Sequence, residues 1–132
     1  MRKKVVFISL PMTGKTEAEI DHDFYKAKKT YLDLMGQNIE EVAFVNNYHL
    51  SKNALESERV DAEMKGCTFI EPYHLPIWNL GIALTNLAYS DVAFFYGNWE
   101  NSRGCRIEHA VCEEYDILIH EYREDEKEIK NE

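Results

Sequence analysis

The sequence predicts one α/β domain: an open, mainly parallel sheet with helices on both faces, of the flavodoxin-like or Rossmann-like kind. Three observations predict it. Short β-branched apolar runs alternate with longer segments of helical periodicity. Strong loop signals follow two of those runs directly. The chain has 132 residues, enough for one core without disulfide staples.

The elements read in order. Lys4-Val5-Val6-Phe7-Ile8-Ser9 is a short buried strand. Leu10-Pro11-Met12-Thr13-Gly14 breaks it. A helix is predicted from Thr16 to Met35, with Thr16 as N-cap and Glu19 completing a capping box. Ile20, Phe24, Ala27, Tyr31 and Leu34 form its apolar face, and Gly36 stops it. Glu41 to Val45 is a second strand. Asn53 to Lys65 is a polar helix, and Thr68-Phe69-Ile70 is either a short strand or a loop. Pro72 and Pro76 bracket a turn. Ile77 to Tyr89 is a helix with Ile77, Leu80, Leu84, Leu87 and Ala88 inward. Asp91 to Tyr96 is a buried strand, Arg103 to Tyr115 a helix, and Ile117-Leu118-Ile119 the last strand. Residues 1–122 make the domain and 123–132 an acidic C-terminal tail. The stretch from Glu121 onward carries six acidic and three basic residues and reads as solvated. There is no internal repeat.

Composition narrows the function. The net charge is −9 and no basic stripe is visible, which argues against a nucleic-acid polymer as partner. No stretch approaches the roughly 20 apolar residues of a membrane span. Cys67, Cys105 and Cys112 lack the spacing of a secreted framework, and Met1-Arg2-Lys3-Lys4 leads into only a short apolar run. A cytoplasmic setting follows from that reading.

Open parallel sheets bind ligands beyond the carboxyl ends of their strands, where strand order switches. Two unusual loops occupy that position: Ser9 to Lys15, and Gly97 to Gly104. They are expected to face one another. Gly97-Asn98-Trp99-Glu100-Asn101-Ser102-Arg103-Gly104 lets a ligand approach the backbone, and the helix it opens offers free N–H groups to an anion. Glu108 lies about one turn into that helix. A carboxylate beside a bound sugar suits attack at an anomeric carbon or its stabilisation.

Each candidate has a plainer reading. Glu108 is also a first-turn acid favoured by the helix dipole. Ser102 is also a simple N-cap. Arg103 and Arg106 pair either with an anionic ligand or with Glu100 and Glu113. Gly14-Lys15-Thr16 resembles the end of a phosphate-binding loop, but position 9 is Ser where that loop needs Gly. Cys105, His109 and Cys112 share a helical face, yet no fourth metal ligand is evident. Trp99 either stacks on a base or lies against its loop. Tyr73, His74 and Trp78 line either the pocket or the core.

Phe7-Ile8-Ser9-Leu10-Pro11-Met12-Thr13-Gly14 resembles the opening motif of the nucleoside 2-deoxyribosyltransferase-like superfamily, and within it the phage and bacterial group called DUF4406. The stretch from Asp91 through Gly97-Asn98-Trp99-Glu100-Asn101-Ser102-Arg103-Gly104-Cys105-Arg106-Ile107-Glu108-His109-Ala110 resembles its second signature. The resemblance covers most of the chain except Asn46 to Tyr73. It implies a deoxyribosyltransferase-like fold. It also implies that Glu108 is a nucleophile on C1′ of a 2′-deoxynucleoside or its 5′-monophosphate, releasing the base. The deoxyribosyl-enzyme is then resolved by another base or by water. Ser102 would hold the 5′-phosphate. Ser9, Leu10, Pro11, Met12, Gly14, Gly97, Trp99 and Gly104 would line the substrate.

Two departures weaken the analogy. Many relatives carry an Arg-Asp pair where this chain has Ile82 and Ala83, so help to the leaving base is in question; Asn79, Asn86 and Glu71 are possible substitutes. Leu10 stands where many relatives have Gly. The resulting expectation is N-glycosidic cleavage or transfer with no metal or organic cofactor, on a nucleoside or nucleotide, by a homodimer or higher homo-oligomer. A neighbour's C-terminal segment would complete the pocket. The alternatives are a catalytically weak nucleotide-sequestering protein and an interaction module without nucleotide binding.

Overall fold

Alternation along the first strand sets the layering. Val6 and Ile8 pack into one hydrophobic cluster while Phe7 packs into another, on opposite faces of the sheet. The computed structural model describes residues 2–123 and 129–131. The strands are β1 (Lys4–Ser9), β2 (Val42–Val45), β3 (Val92–Tyr96), β4 (Leu118–Tyr122) and β5 (Ile129–Asn131). The helices are α1 (Glu17–Met35), α2 (Asn47–Met64), α3 (Leu75–Leu87) and α4 (Arg103–Glu114). Short 3-10 turns occupy Ile39–Glu41 and Trp99–Asn101.

The sheet order is β2-β1-β3-β4-β5. The first four strands are mutually parallel, and β5 pairs antiparallel to β4. This is the open, mainly parallel sheet that the sequence predicts. On one face, Ala27 and Tyr31 of α1 pack against Val6, Ile8, Val92 and Phe94. On the other, Ala83 and Leu87 of α3 and Cys105 and Cys112 of α4 pack against Phe7, Ala93, Phe95 and Ile119. Phe7, Ile8, Phe94 and Phe95 are almost completely buried, each contributing about 1.5–3 kcal/mol of burial free energy. Asp91 ties the start of β3 to β1: it accepts from the Val5 N–H and from both terminal nitrogens of Arg2.

Helix α1 starts and stops where its residues require. Thr16 Oγ1 accepts from Glu19 N, and Glu19 Oε1 accepts from Thr16 N. Gly36 adopts φ 64°, the left-handed conformation of a helix stop. On its apolar face Leu34 is exposed, and Leu32 and Met35 take its place against the core.

Four boundaries differ from the sequence reading. Helix α2 begins six residues earlier than Asn53, because Asn46 caps it by accepting from His49 N. Of the two readings of Thr68 to Ile70, the structure takes the loop. Helix α3 runs from Leu75, with Ile77 and Ala88 exposed, Leu80 and Leu84 half-buried and Leu87 buried; a helix with no charged residue gives no marker for its outer face. Strand β4 extends through His120, Glu121 and Tyr122, so the solvated tail does not begin at Glu121, which is buried. Residues 129–131 form the edge strand β5, so the 123–132 tail is partly strand, while 124–128 and 132 lie outside the described residues. Among the described residues no helix is long and apolar enough to cross a membrane.

Candidate active site

Strand order reverses between β1 and β3, so the loops after these two strands flank the crevice that such sheets use for ligands. Ser9 ends β1 opposite Phe95 of β3. Gly97 follows β3 at φ 81°, a turn that a β-carbon would strain, and its N–H donates to Tyr122 O at 2.9 Å. The Trp99–Asn101 turn then delivers Ser102 to the start of α4. Ser102 Oγ accepts from Cys105 N at 3.4 Å, so it is the N-cap. Arg106 closes the loop by donating to Glu100 O at 2.9 Å. Glu113, its other suggested partner, instead faces His109.

Glu108 faces inward from α4 and is 9% exposed. Ser9 Oγ donates to Glu108 Oε1 at 2.7 Å. Burial raises the carboxyl to a pKa of about 7, opposed by the Ser9 hydrogen bond, which favours the charged form. Cys105 lies beside the Ser9 and Ser102 hydroxyls, and burial raises its thiol. Cys112 is pushed up to about 12 by burial, with Glu108 adding to the effect. Ser9, Ser102, Cys105 and Glu108 therefore form one cluster at the switch point. A carboxyl poised near neutrality can act as nucleophile when ionised or as acid when protonated.

Gly104 adds room. It sits in the first turn of α4, and a β-carbon there would meet nothing within 4 Å. In that turn Cys105 N is taken by Ser102 Oγ and Arg106 N by Ser102 O, so the donors that lack a helical partner are the N–H groups of Arg103 and Gly104.

Other predicted contacts fall elsewhere. Trp99 is 8% exposed and belongs to the core. Its ring stacks on His109 with centroids 4.2 Å apart, and Nε1 donates to Glu121 Oε1 at 3.0 Å. It is not a free surface for a base. Leu10 is buried in the α1-side cluster, and Met12 packs partly against it; Pro11 is half-buried and Gly14 exposed. Tyr73 and His74 are exposed against each other and Trp78 is half-buried, so they form no core cluster. Ala83 is buried in the α3 face and Ile82 is half-buried. Of the suggested substitutes, Asn86 donates to Asn47 Oδ1 at 3.1 Å, Asn79 is half-buried and Glu71 is exposed.

Cys105, His109 and Cys112 are buried, and the His109 ring lies against Trp99 and Phe95. Among the described residues, potential metal ligands converge instead at Glu17, Asp21 and His49, within 4.8 Å of one another. These side chains are exposed or half-buried and have partners of their own: His49 Nε2 lies 2.7 Å from Asp21 Oδ1 within hydrogen-bond reach, and Lys52 pairs with Glu17 at 3.0 Å. An open hollow of about 420 Å³ lies on the α1 face, lined in part by Tyr25, Lys29, Tyr96 and Tyr122. It does not include Glu108. Chemistry favours the switch-point cluster over this hollow, because the raised carboxyl and the helix N-terminus meet only there.

No family model, curated protein or solved structure matches this chain.

Proposed function

We propose that this chain cleaves or transfers at the N-glycosidic bond of 2′-deoxynucleosides or their 5′-monophosphates. One observation carries the reading: a buried carboxyl in the second turn of α4, raised to about 7, meets Ser9 at the carboxyl end of β1. Glu108 in its ionised form attacks C1′, the base departs, and a deoxyribosyl ester forms. Water or a second base then breaks that ester, and Glu108 is restored. Without a 2′-hydroxyl the sugar reaches an oxocarbenium-like state more readily, which a single carboxylate can stabilise, as in retaining glycosidases. Ser102 Oγ accepts from Cys105 N and still has a proton to donate to a 5′-phosphate. The first-turn N–H groups of Arg103 and Gly104 supply further donors.

The protein works in this reading without a metal or organic cofactor, in the cytoplasm, as a homodimer or higher homo-oligomer, on a small nucleoside or nucleotide. Its three free cysteines suit a reducing compartment.

A second reading has its own support. Ala83 is buried and apolar where relatives by resemblance carry an Asp, and general-acid help is typically worth about 10²–10⁴-fold. A weak enzyme or nucleotide-sequestering protein follows if nothing protonates the base.

The test is chromatographic release of free base. Purified protein is incubated with each 2′-deoxynucleoside and each 5′-monophosphate, alone and with a second base, beside Glu108→Ala. Release that vanishes in the variant supports glycosidic chemistry, and the second-base lanes separate transfer from hydrolysis. Binding of a nucleotide without any release supports the sequestering reading instead.

A further inference from the structure

Among the described residues six polar or charged side chains are buried, and four of them, Ser9, Glu108, His109 and Glu121, meet under one helix. Strand register explains the meeting. Ser9 of β1 stands opposite Phe95 of β3, and Phe95 stands opposite Glu121 of β4. The three form one row near the carboxyl end of the sheet. Phe7, Phe95 and Ile119 belong to the α4-side core, and period-two alternation turns Ser9 and Glu121 to that same side. Two neighbouring residues of α4 reach this row. Glu108 meets Ser9 at one end of it, and His109 meets Glu121 at the other.

His109 takes no part in the proposed chemistry, yet it is held on several sides. Its ring stacks on Trp99 and meets Phe95 edge-on, with centroids 4.2 and 4.8 Å away. Nδ1 lies 3.2 Å from Glu113 Oε1, one turn further along α4, and Nε2 lies 3.6 Å from Glu121 Oε2. Trp99 Nε1 donates to the other oxygen of Glu121, so the carboxylate under His109 is itself fixed. Packing alone would be met by an apolar ring. A buried imidazole with a carboxylate at each nitrogen also has a direction. That direction bears on Glu108, because consecutive helical residues point about 100° apart. A helix resting on a sheet through apolar contacts can roll about its axis. A carboxylate stands about 6 Å from that axis, so a roll of about 10° carries it about 1 Å. A misplacement of that size costs about 10²-fold in rate.

We propose that His109, seated on Glu121, is a positioning residue: it fixes the roll of α4 and so holds the Glu108 carboxyl against Ser9. The effect on rate rests on the glycosidic reading given above, whereas the geometry does not. The titratable groups that face His109 are Glu113 from α4 and Glu121 from β4. Those beside Glu108 are Cys105 and Cys112 on its own helix, both kept as thiols by burial. The site thus has two anchors on one row of the sheet, one made by the reacting carboxyl and one by the residue after it.

Two substitutions at one position separate positioning from packing. His109→Phe keeps a ring between Trp99 and Phe95 but offers Glu121 no nitrogen. His109→Gln loses the ring, while its side-chain amide still reaches toward Glu121. In base release, His109→Phe is expected to lose about 10²-fold in kcat with KM within about threefold of wild type, and His109→Gln to retain more activity than His109→Phe. Glu121→Gln keeps an acceptor for the indole and is read without any substrate, by titrating the Glu108 carboxyl carbon in NMR spectra. Its midpoint should rise by about half a pH unit or more above wild type, because a loosened Ser9 bond no longer favours the charged form. Removal of a neighbouring negative charge would by itself lower that midpoint. A midpoint unchanged or lowered in Glu121→Gln overturns the proposal. So does His109→Phe releasing base as fast as His109→Gln or faster. A wild type that releases no base defeats the glycosidic reading alone, and the midpoints then decide the role of His109.

Discussion

Ser9 Oγ donates to Glu108 Oε1 across 2.7 Å, joining the last residue of the first strand to the inward face of the fourth helix, 99 residues later. The bond favours the ionised carboxylate, while burial favours the protonated one. Burial is the larger effect, and the carboxyl settles at about 7. Ser9 is thus a positioning residue that also tunes the acid it holds.

On the proposal that ionised Glu108 is the nucleophile, base release should rise with pH along a limb centred near 7 and level off above it. Ser9→Ala removes the interaction that favours charge, so its limb should move to higher pH and its rate at pH 7 should fall. Initial rates across pH 5 to 9 check this for both proteins. A limb at the same pH in Ser9→Ala would show that the hydroxyl has no part in setting the carboxyl.

The same shift governs stability, with the opposite consequence. Glu108 binds its proton more tightly folded, at about 7, than unfolded, near 4.5. Its contribution is fully present below 4.5 and is lost as pH rises through 7. The difference amounts to on the order of 3 kcal/mol at alkaline pH. Glu108→Gln, which cannot ionise, should lack this component. Denaturant titrations between pH 4 and 8.5 should show wild type falling relative to the variant, most steeply between 4.5 and 7.

Much of this arrangement was legible from residue spacing, but not all. Period-two alternation puts Phe7 and Ser9 on one face of the sheet, and helical spacing puts Cys105, Glu108 and Cys112 on one face of α4. The sheet and switch point follow from the same patterns. What failed had physical reasons. Trp99 stands beside a glycine loop, a context that signals a ligand surface, yet its partner Glu121 belongs to a segment whose charge reads as tail. Leu10 extends the alternation of Val6 and Ile8 into the core, although it lies in the loop motif. The stretch from 52 to 82 is the hardest to read, because none of its apolar residues is buried.

Trp99 should accordingly behave as a structural residue. Trp99→Ala removes its packing on Phe95 and His109 and should cost about 3–5 kcal/mol. Trp99→Phe keeps an aromatic ring but leaves Glu121 Oε1 without its indole donor, costing about 1–3 kcal/mol. Under conditions where Trp99→Phe stays folded, its KM for nucleotide should match wild type. A KM that rises with the loss of the indole would return Trp99 to the substrate surface.

Gly104 separates the needs of the helix from those of a ligand. Its β-carbon position is open and its backbone is ordinary helix, so Gly104→Ala should stabilise the fold by up to about 1 kcal/mol. If a 5′-phosphate sits on the N–H groups of that turn, the added methyl group enters its space. KM for a 5′-monophosphate should then rise while KM for the corresponding nucleoside hardly changes. A higher melting temperature with a selectively raised monophosphate KM would identify the first turn of α4 as the phosphate seat. Equal KM changes for both substrates would instead put the methyl group against the sugar, and no change for either would move the phosphate away from this helix.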